Sequence, residues 1–199
     1  GRVRFKFPSV GATENVLMAA AALEGVTIIE NAAREPEIAD LAAFLVKLGA
    51  KIKGAGTPRI EVRGQRTLHG ARHTVIADRI EAGTFLLACA MAQGRLKLLG
   101  ANPKHLGALI AKMKAAGAKI KGAASGIEIS MSGRPRPVAV VTKPHPGFPT
   151  DLQAPWMSWM SLALGRSRVS ETVFENRFLH VAELARMGAE IGVSGRSAV

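Results

Sequence analysis

The chain has 199 residues, of which 48% are apolar and 21% are charged, a composition typical of a globular protein rather than a disordered one. No apolar run approaches the length of a membrane span, and the opening stretch GRVRFKFPSV lacks the hydrophobic segment and cleavage site of a signal peptide. We therefore expect a soluble, cytoplasmic protein with no membrane partner.

The formal net charge of +12 raises the question of a nucleic-acid partner. The positive excess is largest between residues 75 and 137, where 10 basic residues accompany 3 acidic ones. Only 5% of the residues are aromatic and none is tyrosine, which disfavours platforms for base stacking. We expect no nucleic-acid partner and interpret the basic field as one that could attract a small anionic substrate.

Three segments share one pattern of an apolar helix, a glycine and a short strand. They read GATENVLMAAAALEGVTIIENA, GTFLLACAMAQGRLKLLGA and TDLQAPWMSWMSLALGRSRVSET. Gly25, Gly94 and Gly165 are predicted to end the three helices, because glycine enters the left-handed region without steric cost.

A second helix is predicted after each of these strands, within EPEIADLAAFLVKLGAKI, NPKHLGALIAKMKAAGAKI and NRFLHVAELARMGAEI. Alternating apolar and polar residues in RIEVR (59–63) and GIEISMS (126–132) predict further strands. Each copy therefore predicts strand, helix, strand, helix, strand, strand in an α/β fold. The third copy stops at GVSGRSAV, where its closing strand should form, so we expect a truncated chain.

The loop HPGFPTDLQ (145–153) precedes the helix of the third copy. Pro146 and Pro149 restrict its backbone, so the loop can hold a side chain in one place. Asp151 is then either a general base presented by a stiff loop or, with Thr150, a cap for the following helix.

Five motifs together resemble the enolpyruvyl transferase family, and within it the bacterial UDP-N-acetylglucosamine 1-carboxyvinyltransferases. They are SVGATENVLMAAA, IIENAAREPEIADLA, DRIEAGTF, FPTDLQA and ETVFENRFLHVAELARMGA. The resemblance runs along essentially the whole chain, and five motifs in the right order are far more specific than one glycine loop. It implies transfer of enolpyruvyl from phosphoenolpyruvate to the 3-hydroxyl of UDP-N-acetylglucosamine, the first committed step of peptidoglycan synthesis, with no cofactor and no metal.

The same resemblance implies an inside-out α/β barrel built from βαβαββ repeats, in two similar domains with a cleft between them. Residues 1–74 would be the last repeat unit of one domain and residues 75–199 the first two of the second. The chain would then be a central fragment that lacks a Lys-Asn pair, a proton-donating loop and further arginines. We expect it to be inactive alone and to associate with itself or with a complementing fragment, because incomplete domains leave apolar faces uncovered.

Two catalytic candidates follow from the resemblance. Asp151 matches the residue that deprotonates the sugar hydroxyl, which is a poor nucleophile at neutral pH without a base. Arg177, in FENRF, could bind a phosphate or carboxylate through two hydrogen bonds, or could pair with Asp151 and keep it ionised. Without the resemblance, Arg177 is equally well an ordinary charge at a helix end.

Candidate substrate-binding residues in the first 74 positions are expected at two helix starts. Ser9, Val10 and Gly11 precede the first helix, where free N–H groups suit a diphosphate, although Ser9 alone is typical of a cap or turn. Glu35 and Glu37 flank the proline that begins the second helix, where they either complement the helix dipole or lie at the cleft.

Three further candidates lie in the remainder of the chain. Asp78 is either a cap or a cleft carboxylate at the crossing between the two domains. Val173 and Phe174 either line the uridine or sugar site, with backbone groups as the contacts, or belong to the core of a strand.

Three alternative functions remain open. The first is enolpyruvyl transfer to shikimate 3-phosphate, against which IIENAAREPE and FENRF argue. The second is a non-catalytic basic module that binds nucleic acid, and the third is a non-catalytic repeat scaffold.

Overall fold

The computed structural model describes residues 1–123 and 125–199. The chain divides into two compact units, Gly1–Ile76 and Ala77–Val199. The described residues form a mixed α/β structure with three sheets. None of the helices in this described part combines the length and the apolar character that crossing a bilayer requires.

The first unit is a four-stranded sheet covered by two helices. Its elements are β1 (Arg2–Arg4), α1 (Val10–Ala21), β2 (Gly25–Glu30), α2 (Pro36–Lys47), β3 (Lys51–Lys53) and β4 (Arg59–Gly64). The sheet order is β1-β2-β4-β3, with β1 parallel to β2 and β4 antiparallel to both of its neighbours. Leu17 of α1, Ile38 of α2 and Ile60 of β4 are fully buried together, so the apolar helix faces do cover the sheet.

The second unit holds two sheets and four α-helices. Its first half contains α3 (Arg79–Met91), β5 (Arg95–Leu99), a 3₁₀ turn (Pro103–Leu106), α4 (Gly107–Ala116), β6 (Lys119–Ala123) and β7 (Gly126–Ser130). Its second half contains β8 (Val140–Val141), a 3₁₀ turn (Thr150–Leu152), α5 (Gln153–Met160), β9 (Val169–Ser170), α6 (His180–Arg186), β10 (Val193–Ser194) and β11 (Ser197–Ala198). One continuous core joins the halves, with Leu86, Leu109, Trp156 and Trp159 fully buried in it.

The three sheets share one topology, which supports the three-copy reading of the sequence. In each copy the last strand is antiparallel to the strand on either side of it. β4 lies between β2 and β3, β7 between β5 and β6, and β11 between β9 and β10. The first and third copies also have an opening strand parallel to the strand after the first helix. Within residues 1–123 and 125–199 the second copy has no opening strand.

Two details of the predicted repeat were wrong. The third copy does form its closing strands, since β10 and β11 pair as a short antiparallel hairpin within GVSGRSAV. The predicted helix ends at Gly25, Gly94 and Gly165 were also wrong, since α1, α3 and α5 end earlier, at Ala21, Met91 and Met160. In the segments after these helices, Gly25 and Gly165 have φ of 111° and 128°, whereas in the second copy it is the backbone of Gln93, with a φ of 52°, that is left-handed.

A glycine allows the close approach of α3 to the turn that carries Asp151. A Cβ atom on Gly83 would lie 2.4 Å from Leu152 Cδ1 and 3.1 Å from Leu109 Cδ2. Leu152 is fully buried and directly follows Asp151, so its packing fixes the position of that turn. Gly83 therefore connects the core of the second unit to the placement of one candidate catalytic residue.

We expect Gly83→Ala to lower the free energy of unfolding of the second unit by about 1 to 2 kcal/mol. Overpacking costs about 1 to 3 kcal/mol, which outweighs the gain of about 1 kcal/mol from replacing a helical glycine. Guanidinium unfolding followed by tryptophan fluorescence measures this unit, since Trp156 and Trp159 are the only tryptophans of the chain and both lie in it.

The matched control is Gly107→Ala at the start of α4, where a Cβ would meet no described heavy atom within 4 Å. That variant should be unchanged or slightly more stable. Equal stabilities for the two variants would contradict the proposed close packing at Gly83.

Candidate active site

The loop that carries Asp151 is held by its aromatic residue. Phe148 is buried and meets Trp156 edge-on, with ring centroids 5.4 Å apart, and its carbonyl accepts a 2.9 Å hydrogen bond from the Lys143 N–H. The His145–Pro146 peptide bond is cis. After Pro149 the chain makes one 3₁₀ turn and enters α5. The predicted stiff loop is thus present, anchored to the core on one side.

The capping interpretation of Thr150 and Asp151 was wrong. Neither side chain bonds a backbone N–H of the 3₁₀ turn or of α5 in the part of the chain that the structure describes. Thr150 Oγ1 instead donates to Glu171 Oε2 at 2.8 Å, and Asp151 Oδ1 accepts from Arg177 Nη1 at 3.0 Å. Partners about 20 residues away in sequence replace the local cap.

Asp151 and Arg177 form an ion pair at the surface of the second unit. The Asp151 side chain is 49% exposed and that of Arg177 is 36% exposed. Arg177 Nη1 also donates to Thr150 Oγ1 at 3.1 Å, and the guanidinium lies 4.8 Å from the centre of the Phe174 ring. Such an exposed pair contributes little to stability, but these contacts hold both charged groups beside each other and open to a ligand.

Sequence reasoning missed the residue that organises this site, Glu171. Its side chain is 1% exposed. Oε1 accepts from Thr142 Oγ1 at 2.7 Å, from the Val173 N–H at 2.8 Å and from the Phe174 N–H at 3.1 Å, while Oε2 accepts from Thr150. The only signal in the sequence was its position at the start of ETVFENR, directly after a short strand.

Burial by itself raises the pKa of Glu171, but the hydrogen bonds from Thr142, Thr150, Val173 and Phe174 outweigh it and lower the pKa below the usual glutamate value. The side chain is therefore an ionised, buried acceptor. It ties together Thr142, which follows β8, the turn carrying Asp151 and the loop carrying Arg177.

Val173 and Phe174 follow Glu171 in that loop. Their N–H groups, predicted as substrate contacts, are bound to the Glu171 carboxylate. Phe174 is 51% exposed and lies under the Arg177 guanidinium. The two N–H groups are therefore already paired, and the predicted role of Val173 and Phe174 near the substrate stays a prediction.

Asp78 is the N-cap of α3. Its Oδ1 accepts from the Ile80 N–H at 2.7 Å and from the Glu81 N–H at 3.2 Å. The structure thus shows the capping role, and the predicted cleft role of Asp78 stays a prediction.

The candidates of the first unit gather at the starts of α1 and α2. Ser9 caps α1 by accepting from the Ala12 N–H at 3.3 Å. The prediction that Val10 and Gly11 precede the helix was wrong, because α1 begins at Val10 and both residues lie in its first turn. Thr13 Oγ1 accepts from the Ala33 N–H at 3.0 Å and so ties α1 to the segment before α2.

Glu35 and Glu37 lie at the start of α2, as predicted. Glu35 is the N-cap residue, is 5% exposed, and accepts from the Arg34 N–H at 2.9 Å. Glu37 lies in the first turn. Burial and the nearby charge of Glu37 together raise the pKa of Glu14 on α1, which indicates that the two helix starts present carboxylates to the same space.

A cavity of about 500 Å³ opens at the ion pair of the second unit. Its lining residues are Thr150, Asp151, Gln153, Ala154, Asn176, Arg177, Leu179 and His180. Burial lowers the pKa of His180, so its imidazole is neutral at physiological pH. The cavity thus combines a carboxylate that can accept a proton with a guanidinium that can bind an anion.

Comparison with known proteins identifies the family. A family model described as EPSP synthase (3-phosphoshikimate 1-carboxyvinyltransferase) matches residues 2–197. The chain belongs to this family.

Curated relatives in this family confirm the more specific resemblance. A UDP-N-acetylglucosamine 1-carboxyvinyltransferase of Anaeromyxobacter sp. (strain Fw109-5) is 53% identical over 204 residues, which cover 100% of this chain and 48% of the relative. UDP-N-acetylglucosamine 1-carboxyvinyltransferase 1 of Staphylococcus aureus (strain N315) is 48% identical over 196 residues, covering 98% of this chain and 47% of the relative. The chain spans about half the length of the curated relatives it matches.

A solved structure shows the fold of this EPSP synthase family member. The enolpyruvyl transferase NikO from Streptomyces tendae matches with a TM-score of 0.83 at 24% identity, over 96% of this chain and 46% of that one. The chain therefore has the mixed α/β enolpyruvyl transferase fold.

We expect Glu171→Gln to lower the free energy of unfolding of the second unit by about 2 kcal/mol or more at pH 7, because an NH₂ group would face hydrogen-bond donors. Because the pKa of Glu171 is lowered in the folded state, its ionised carboxylate contributes fully to the free energy of unfolding above about pH 4.3, the pKa of an unperturbed glutamate. That contribution is lost as the pH falls through the folded-state pKa. Guanidinium unfolding at a series of pH values measures the difference between wild type and variant.

The control is Glu128→Gln, which removes an exposed carboxylate paired with Lys97 at 3.3 Å. It should change stability by less than about 0.5 kcal/mol. A Glu171→Gln effect as small as this one would contradict the organising role of Glu171.

Proposed function

We propose that this chain forms the part of a UDP-N-acetylglucosamine 1-carboxyvinyltransferase that carries the general base and half of the sugar-nucleotide site. The observation that carries the proposal is the Asp151–Arg177 pair in an open cavity, in a chain about 50% identical along its length to enzymes of that name. The proposed substrates are UDP-N-acetylglucosamine and phosphoenolpyruvate, and the proposed location is the cytoplasm.

The proposed chemistry is an addition followed by an elimination. The sugar 3-hydroxyl adds to the central carbon of phosphoenolpyruvate, and Asp151 accepts the hydroxyl proton as the C–O bond forms. A donor outside the residues named here protonates the methylene carbon of phosphoenolpyruvate. Loss of that proton and of inorganic phosphate then regenerates the double bond on the product.

Arg177 fits two tasks in this scheme. Its 3.0 Å pairing with Asp151 holds the carboxylate in one place beside the guanidinium. Both of its side-chain hydrogen bonds use Nη1, so among the described residues Nη2 and Nε have no hydrogen-bond partner. That edge of the guanidinium can bind an oxygen of phosphate or carboxylate while the ion pair stays intact.

The assignment to domains belongs to the same proposal. Residues 1–74 would be the last repeat of one enolpyruvyl transferase domain and residues 75–199 the first two repeats of the next, and the repeats would close into an inside-out barrel. The shared sheet topology of the three copies supports this assignment. The exposed apolar residues Leu179 and Met187, which flank α6 at its two ends, support association with a complementing segment or a second copy.

We expect the purified chain to bind UDP-N-acetylglucosamine in isothermal titration, to show no binding of shikimate 3-phosphate, and to release little phosphate from the substrate pair. Binding of shikimate 3-phosphate alone would favour the sibling activity. Robust phosphate release would show that the account of an incomplete site is wrong.

We expect Asp151→Asn to lower phosphate release by at least about 100-fold when this chain replaces its counterpart in the Anaeromyxobacter relative, because a general base contributes about 10²- to 10⁴-fold. The control is Glu183→Gln, which removes an exposed carboxylate that is likewise paired with an arginine, Arg186, at 2.7 Å. The control should retain wild-type turnover, and equal losses in both variants would contradict the role of Asp151.

A further inference from the structure

Helix α5 carries three buried side-chain donors that find no acceptor within residues 1–123 and 125–199. They are Gln153 Nε2, Trp156 Nε1 and Trp159 Nε1. The three residues are spaced three apart, so they lie side by side along one stripe of the helix. A buried N–H group without a partner is unfavourable, so each of the three needs a physical reason.

Packing accounts for the two tryptophans. Trp156 and Trp159 meet edge-on with centroids 5.3 Å apart, and Trp156 also packs edge-on against Phe148. Both indoles are fully buried in the core of the second unit. The large apolar area of each indole outweighs one unpaired N–H group.

Packing does not account for Gln153. Its side chain is 1% exposed, and its polar end brings no apolar area that would offset an unpaired N–H. Leucine or methionine would fill the same space without a polar group. Gln153 differs from the two tryptophans in a second way, because it alone of the three lines the cavity that holds Asp151 and Arg177.

The chemistry of the amide indicates which part of a ligand it suits. A neutral N–H donor matches a neutral oxygen, such as a sugar hydroxyl or an amide carbonyl, whereas an anionic oxygen is better matched by the Arg177 guanidinium in the same cavity. Asp151 and Gln153 both line this cavity, so a group bound by the amide shares the cavity with the carboxylate.

We propose that Gln153 Nε2 donates a hydrogen bond to an uncharged oxygen of the acceptor sugar and thereby orients the reacting hydroxyl toward Asp151. This inference rests on the proposed function of the cavity. It makes Gln153 a substrate-binding residue.

The substitution Gln153→Met keeps the length of the side chain and removes the hydrogen-bond donor. If the amide has no partner in the free protein, the variant should unfold at a guanidinium concentration at least as high as wild type. Its affinity for UDP-N-acetylglucosamine should nevertheless fall by about tenfold or more. A purely structural glutamine would show the opposite pattern, with lower stability and unchanged affinity of the folded protein.

The test uses isothermal titration of the 199-residue chain with UDP-N-acetylglucosamine, together with guanidinium unfolding, for wild type, Gln153→Met and Trp159→Phe. The last variant is the control, since it removes an unpaired donor from the same helix at a position that does not line the cavity. We expect the control to bind like wild type.

Three results would overturn the inference. Equal affinity of wild type and Gln153→Met would exclude the proposed contact and leave the proposed function in place. A fall in the unfolding midpoint of Gln153→Met would show that the amide has a structural partner. No binding by the wild-type chain at millimolar ligand would overturn both the contact and the proposed binding role of the chain.

Discussion

The buried carboxylate of Glu171 is the interaction on which the candidate site depends. It accepts hydrogen bonds from two threonine hydroxyls and two backbone N–H groups. These donors come from β8 and its continuation, from the turn before α5 and from the loop after β9. A buried carboxylate stays ionised only when its hydrogen-bond donors are held in place. The carboxylate in turn fixes the positions of those donors. The hydrogen bonds of Glu171 thereby position the segments that carry Asp151 and Arg177.

The site is built on the packing of the second unit. Gly83 lets α3 approach Leu152, and the edge-on contacts among Phe148, Trp156 and Trp159 fix the loop from the other side. The turn with Asp151 lies between these two buried contacts, while the carboxylate itself stays half exposed. A well-packed interior thus presents the Asp151 carboxylate to solvent on a turn with little backbone freedom.

Much of the fold could be predicted because the sequence repeats its own pattern. Apolar periodicity and alternating strands are local signals, and they recovered the six-element unit that the first and third copies display. Local signals failed where a side chain binds a residue distant in sequence instead of a nearby backbone N–H. Thr150 and Asp151 have the residue types of a helix cap, yet Glu171 and Arg177 bind their side chains instead.

The sequence by itself determined the repeat, the family and the identity of the ion-pair residues Asp151 and Arg177, because each depends on residue types at fixed spacing. Only the tertiary structure decided that Asp151 pairs with Arg177, that Glu171 organises both and that the buried donor of Gln153 has no partner among the described residues. These facts concern which polar groups meet after the chain has folded. The physical reason is that a buried hydrogen bond depends on distance and desolvation between residues far apart in sequence, and no spacing rule along the chain encodes either quantity.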